Sequence, residues 1–430
     1  MKQTEIGNSI ADDAIPEDWE VKTVKEFAAI STGNKNTQDA DPNGIYPFYV
    51  RSPIIEKINS FTFDTEGVIT AGDGVGTGKV FHYVDGKFGL HQRAYLIHDF
   101  SNVSAKYFYW IFSKNFYSRV HAMTAKTSVD SVRKEMIADM LIPLPPLPEQ
   151  RRIAQALSDV DSLITTLEKL VAKKTRVKQG AMSLLLSGKV KIENGTFAKC
   201  TRFKQTELGE IPADWEVKTL GEVFDFYPNN TYSRDCLNYS GGEYQNIHYG
   251  DILIKFPSVL NCQSVEIPYI NEGIRVNFAK YGVQNGDVII ADTAEDETCG
   301  KVTEIKNLGD KKIVSGLHTI LCRPKNDEFS SGWLGYFMNY SLYHDQLLPL
   351  ITGIKVSSIS KTNILSTMIA IPTLAEQSAI AAVLSDMDAE ITALDAKLAK
   401  YRQLKTAMMQ QLLTGKIRLM EKEVFACEDM

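Results

Sequence analysis

Residues 145–189 read PPLPEQRRIAQALSDVDSLITTLEKLVAKKTRVKQGAMSLLLSGK, and how this stretch is buried decides what the chain can be. Pro143, Pro145, Pro146 and Pro148 cannot continue a helix, but proline is tolerated where one begins, so a helix is predicted from near Glu149. From there Ile153, Leu157, Val160, Ile164, Leu167, Val171, Lys174, Lys178, Ala181 and Leu185 recur at alternating spacings of four and three, the pattern of a coiled-coil seam. Gly188 supplies the stop. A helix from Glu149 to Ser187, about 39 residues at roughly 1.5 Å each, spans on the order of 58 Å. So narrow an apolar stripe needs a second one against it.

That second stripe lies in the same chain. Ile380, Leu384, Met387, Ile391, Leu394, Leu398, Tyr401, Lys405, Met408 and Leu412 repeat the seam, and Gly415 repeats the stop. A constant 227 residues separate Leu157-Ser158-Asp159-Val160-Asp161 from Leu384-Ser385-Asp386-Met387-Asp388, Gly188-Lys189 from Gly415-Lys416, and Gly89-Leu90-His91 from Gly316-Leu317-His318. This predicts that the halves align without insertion from the glycine-leucine-histidine tripeptide onward. The openings also match: Lys2-Gln3-Thr4-Glu5 returns at Lys204-Gln205-Thr206-Glu207, and Ile15-Pro16-Glu17-Asp18-Trp19-Glu20-Val21-Lys22-Thr23 at Ile211-Pro212-Ala213-Asp214-Trp215-Glu216-Val217-Lys218-Thr219. Trp19 and Trp215 are 196 apart, which assigns 31 extra residues to the early part of the second variable region.

A fixed frame around divergent middles describes two heads on one duplicated support. The expected fold is α+β: two globular α/β domains joined by two long helices packed as an antiparallel coiled coil, related by a pseudo-two-fold internal repeat and set at opposite ends of the rod. The segments are 1–146 (first head), 147–197 (first helical spacer), 198–373 (second head) and 374–430 (second helical spacer). The alternative is that each helix caps its own domain. Lys174, Lys178 and Lys405 interrupt the stripe and are expected to face a partner protein or solvent.

With 430 residues, 44% hydrophobic and 23% charged, the composition is that of ordinary multidomain globular protein, with no apolar run long enough for a bilayer. The polar, acidic opening is neither a secretory nor a transit signal, and a cytoplasmic location without membrane attachment is expected. Six scattered cysteines lack zinc spacing and read as reduced thiols. The formal charge of -6 means that any grip on nucleic acid comes from local basic patches or from partners.

The order of segments resembles the specificity subunits of Type I restriction-modification enzymes. The resemblance is carried by Pro145-Pro146-Leu147-Pro148-Glu149-Gln150 and Pro372-Thr373-Leu374-Ala375-Glu376-Gln377 at the helix starts, and by Leu186-Ser187-Gly188-Lys189 and Leu413-Thr414-Gly415-Lys416 at their ends. Tyr46-Pro47-Phe48-Tyr49-Val50 and His248-Tyr249-Gly250-Asp251-Ile252 look like parts of that family's target-recognition domains. The resemblance implies that the chain has no catalytic site and binds double-stranded DNA, each head reading half of a split target in the major groove while the helices fix the gap. It implies two methyltransferase subunits on the conserved regions and restriction-translocase subunits beyond them, with S-adenosylmethionine, ATP and Mg2+ held by those partners.

Each candidate DNA contact competes with a structural role. Gly72-Asp73-Gly74-Val75-Gly76-Thr77-Gly78-Lys79 lets backbone approach a phosphate through Gly74, Gly76 and Thr77, with Lys79 as the charge, yet it also reads as a turn between strands and lacks P-loop spacing. Arg93 suits a guanine edge or an ion pair, and its counterpart at the 227-residue offset is Ile320. His91 and His318 coincide at that offset and are both expected to be buried and satisfied. Lys126 and Lys355 sit on polar loops as phosphate candidates, and Tyr232, Arg234, Asn246 and His248 suit base or phosphate contacts in the second head. The aromatic run Tyr107–Phe112 is expected to be core.

Two other functional classes compete with this one. A methyltransferase would need a catalytic Asn/Asp-Pro-Pro-aromatic tetrapeptide, and Asp41-Pro42-Asn43-Gly44 has only turn composition. Asp287 with Glu304-Ile305-Lys306 fits a loose metal-nuclease pattern without a counterpart in the first half, where Val84-Asp85-Gly86-Lys87 reads as a hairpin turn. A protein-binding scaffold or regulator remains a third reading.

Overall fold

The structure, a computed structural model, describes residues 15–74, 76–124, 131–193, 195–276, 279–353 and 357–420. It divides into two compact units, residues 1–169 with 396–430, and residues 170–395. Both boundaries fall inside long helices, Leu147–Leu186 and Leu374–Leu412, so the units cut across the four sequential segments.

In the first unit a four-stranded antiparallel sheet runs in the order Ala29–Thr32, Ala94–His98, Gly67–Ala71, Phe81–Val84. A smaller sheet holds Glu56–Ile58, Tyr46–Tyr49, Lys87–Leu90 and Phe63–Asp64. Phe81–Val84 and Lys87–Leu90 thus belong to different sheets, and the residues between them turn the chain from one to the other instead of closing a hairpin. Gly86, at φ +98°, makes that turn. Helix Ala105–Thr124 lays Tyr107, Phe108, Ile111 and Phe112 into the core, as expected of the aromatic run.

The second unit repeats the plan around Phe224–Tyr227, Thr319–Pro324, Val288–Ala291, Val302–Lys306 and Val259–Asn261. Among the described residues, strand Val259–Asn261 and helix Tyr249–Ile254 have no first-unit equivalent. The ladders fix which residues are equivalent. Phe48 pairs with Gly89 and Tyr49 with Leu90, in parallel; Asn246 pairs with Val314 and Ile247 with Ser315 likewise. Ala71 pairs with Ala94, and Ala291 with Thr319. Leu90 therefore corresponds to Ser315, His91 to Gly316 and Arg93 to His318.

Those pairs stand 225 apart, and the spacing reaches 227 by Leu141 and Met368, the ends of matching ladders with Thr23 and Thr219. The shared glycine-leucine-histidine tripeptide is consequently out of structural register by two residues. Two of the second half's extra residues enter after it, contrary to the uninterrupted alignment read from sequence. His91 is buried and accepts from the Arg93 N–H, while His318 is half-exposed at φ +52°. They are not counterparts, which corrects the expectation of a shared buried role.

The seam residues of both long helices are all buried or half-buried. Within the first unit, Asp161 contacts Lys405 at 2.5 Å and Glu168 contacts Arg402 at 2.6 Å. Within the second, Lys174 contacts Glu390 at 2.6 Å and Lys178 pairs with Asp388. As one number rises the other falls, so each unit contains an antiparallel helix pair, and the alternative of separate caps is set aside. The three seam lysines are spent on these cross-helix ion pairs, not on a partner or solvent. Asp161–Lys405 and Asp388–Lys178 are the same contact with the copies exchanged, as a pseudo-two-fold requires.

Candidate nucleic-acid interface

The sequence motifs at the helix starts and ends turn out to hold each unit shut. In the first unit Glu149, 1% exposed, accepts from Arg418 at 2.7 Å, and the same guanidinium reaches Asp18 at 2.7 Å while lying over the Trp19 ring. In the second unit Lys191 reaches Asp214 at 2.5 Å and Glu376 at 3.6 Å, and the Trp215 indole N–H donates to Glu376 at 3.2 Å. Burial pushes the Glu376 carboxyl above its usual range, against the pull of Lys191 and Trp215. Gln150 and Gln377 each donate to the carbonyl five residues back and accept from Ser104 and Ser330 N–H groups.

Each lock joins the start of one copy's long helix to residues that follow the other copy's. Leu412 and Leu413, at the end of the second helix and just past it, enter the core around Trp19, and Leu185 and Leu186, from the first, enter the core around Trp215. Gly415 and Gly188, both at positive φ, sit where a Cβ would strike Pro16 and Pro212. These residues are therefore structural, with Arg418 in one lock replaced by Lys191 in the other, and the exposed contacts that differ between copies lie elsewhere.

They lie beside the strand ends. In the first unit Asp73 accepts from Arg51 Nη1 at 2.5 Å and from Arg93 Nη1 at 3.1 Å, so the predicted Arg93 is ion-paired yet 59% exposed. Gly74 (φ +78°), Gly76 and Thr77 form the turn between Gly67–Ala71 and Phe81–Val84, Thr77 donating to the Gly74 carbonyl at 2.6 Å. Lys79 is exposed, 5.4 Å from the Tyr117 ring centre. Arg51 stands beside this turn, its Nη1 3.4 Å from where a Gly74 Cβ would be. Lys126 and Lys355 lie outside the described residues.

In the second unit Arg234 pairs with the buried Asp251 at 2.9 Å and remains 45% exposed, and the Tyr232 hydroxyl donates to the Arg275 carbonyl at 2.6 Å. Asn246 is fully buried, its Oδ1 accepting from Asn230, which removes it as a base contact. His248 is 6% exposed and caps helix Tyr249–Ile254 by accepting from the Gly250 N–H, a second correction. Burial and then the charge of Arg234 lower its pKa to about 4. The position equivalent to Arg93 is His318, whose ring lies 3.2 Å from Thr293 Oγ1 and edge-on to Tyr249 at 5.2 Å.

Arg51, Asp73, Tyr249 and Thr293 were not among the sequence candidates: Asp73 and Tyr249 lie inside the quoted stretches but only strand pairing brings all four beside Arg93 and His318. The metal-nuclease pattern does not assemble: Asp287 is paired with Arg323, and Glu304 accepts from Gly335 at 2.8 Å and from Gly332, capping a short helix. Burial pushes Glu304 up to about 7. Among the described residues no cluster of three metal-binding side chains occurs, and no helix is long and apolar enough to cross a membrane. Cys200, Cys262, Cys299 and Cys322 are free and buried, and Cys236 is free and half-buried.

The chain is 28% identical over 422 residues to the MjaVIII specificity subunit of Methanocaldococcus jannaschii, covering 94% of each chain. It is 27% identical over 456 residues to that organism's MjaX specificity subunit, described as putative, covering 97% of each. A crystal structure of the Type-I restriction-modification S subunit from M. genitalium superposes with a TM-score of 0.60 at 14% identity, covering 94% of this chain and 97% of that one, which supports the fold. The family model for the Type I restriction modification DNA specificity domain matches twice, at residues 16–179 and 212–400. Two copies of one head, each locked by the other copy's helix end and matched by that model across both, show that the chain belongs to the Type I restriction-modification DNA specificity family.

Proposed function

We propose that this chain chooses the DNA sequence on which partner subunits act, each head reading one half of a bipartite duplex target while the paired helices set the gap and dock two methyltransferase subunits. The chain supplies recognition and no chemistry; S-adenosylmethionine, ATP and Mg2+ belong to the methyltransferase and restriction-translocase partners. The observation that carries this reading is the pairing of a repeated frame with unlike side chains: matching strand ends carry Arg51, Asp73 and Arg93 in one head and Tyr249, Thr293 and His318 in the other. A scaffold without a sequence to read has no use for that difference. Half-sites about one helical turn apart on one face of the duplex suit a two-fold reader.

The test is to purify the chain alone and with candidate methyltransferase subunits, then follow gel retardation of duplex DNA and transfer of a labelled methyl group. Sequence-selective retardation, with methyl transfer only when the partner is present, is expected. Methyl transfer by the chain alone would make it an enzyme, and no duplex binding in either setting would make it a scaffold.

A further inference from the structure

Arg93 and His318 occupy one topological position. The Gly72 N–H donates to the Arg93 carbonyl at 2.8 Å, and the Asp292 N–H donates to the His318 carbonyl at 3.1 Å, each one step beyond the matched pairs Ala71–Ala94 and Ala291–Thr319. On the neighbouring strand Asp73 bridges Ser131 and Thr293 pairs with Ser358, 227 residues further on. Arg51 and Tyr249 each lie two residues past the matched Tyr49 and Ile247. Two independent backbone relations therefore match Asp73 and Arg93 with Thr293 and His318, and Arg51 and Tyr249 follow their matched strands at the same distance along the chain.

The chemistry at this position differs while its support does not. In the first unit one carboxylate is shared between two guanidinium groups, leaving a net positive charge. The Arg93 contact to Asp73 uses Nη1, one of the guanidinium's several donor nitrogens, and leaves the side chain 59% exposed. A pair this exposed contributes little to stability, so holding the fork in place is its physical effect. In the second unit a half-exposed imidazole lies against the Thr293 hydroxyl, the Asp292 carboxylate 3.5 Å from Nδ1 and the Tyr249 ring, a group without the guanidinium's fork of donors.

We propose that Arg93 and His318 are the equivalent base-reading residues of the two heads, that Asp73 positions Arg93 and Arg51, and that the first head reads a guanine through Arg93. Guanine presents two acceptors in the major groove that match a guanidinium fork, whereas His318 suits a different edge. This rests on the specificity-subunit reading above.

The experiment uses the full chain assembled with its methyltransferase subunits, mapping methylated sites on genomic DNA by sequencing. The wild-type target should contain a guanine in one half whose selection falls roughly tenfold or more in Arg93→Ala, the other half staying unchanged. His318→Ala should relax one base pair in the opposite half only. Arg93→Lys, which keeps a cation beside Asp73 but loses the fork, should relax the same guanine without lowering the melting temperature, which separates reading from folding. An unchanged target in Arg93→Lys, or weakening spread evenly over all sequences, would overturn the assignment while leaving the subunit's role intact. A wild-type complex with no sequence preference would sink both.

Discussion

His248 illustrates how a residue chosen as a DNA contact does a different job. Its Nδ1 accepts the Gly250 N–H, so the ring must be neutral at that nitrogen, and burial with the Arg234 charge beside it lowers its pKa to about 4. Between the usual 6.5 and that value, the unfolded chain binds a proton that the folded chain refuses. Folded stability is therefore full above pH 6.5 and falls by up to about 3 kcal/mol as the pH drops through 4. His248→Asn keeps a capping acceptor without a titrating group, so urea unfolding of the second unit at pH 5 and pH 7.5 should show a smaller difference in the variant than in wild type. An undiminished difference would place the acid sensitivity elsewhere. Arg418 offers a complementary case, since removing it strands the buried Glu149 carboxylate. Arg418→Ala should destabilise the first unit by about 3 kcal/mol in denaturant melts, with Arg418→Lys recovering part of the loss.

At the level of the long helices, the seam is mixed. Ile153, Leu157, Ile164 and Leu167 are buried, as are Ile380, Leu384 and Leu398, but where lysine replaces the apolar residue it meets an acidic residue of the facing helix. Only one alignment of the two helices brings Asp161 to Lys405 and Asp388 to Lys178 together, so these pairs specify register more than they add stability. A charge exchange tests this: Asp161→Lys alone places like charges together and should lower stability by about 1 kcal/mol, while adding Lys405→Asp should restore most of it. Equal effects of single and double variants in thermal melts would mean that the pair does not set register. Leu157→Ala, at a fully buried seam position, should cost the first unit about 2–5 kcal/mol by the same measurement.

Across the whole molecule the decisive feature is exchange. Residues 396–430 belong to the first unit, so its core is completed by the last part of the chain. Deleting them removes Leu412, Leu413 and Arg418 from around Trp19 and should unfold the first unit while residues 170–395 keep their hydrogen-exchange protection. Loss of protection in both would contradict the division. Because Leu185, Leu186 and Gly188 are the repeat equivalents of Leu412, Leu413 and Gly415, a chain ending near residue 197 can fill that core from a second copy. Such a dimer, with its methyltransferase, should recognise a target containing the first half-site twice; a complex without sequence preference would count against modular heads.

The long helices, the duplication and the family were legible in the sequence because they rest on periodicity and on order along the chain, which are local or one-dimensional properties. The buried aromatic run Tyr107–Phe112 was legible for the same reason. Partner choice was not, because Glu149 meets Arg418, and Asp73 gathers Arg51 and Arg93, only through contacts between residues distant in sequence. The shared tripeptide Gly89-Leu90-His91 and Gly316-Leu317-His318 marks that limit most clearly. Identical letters at a constant spacing suggested equivalence, yet strand pairing slides the register by two residues and sets His318 where Arg93 stands. A strand's partner is set by side-chain packing on both faces of a sheet, and that is decided only when the whole domain closes.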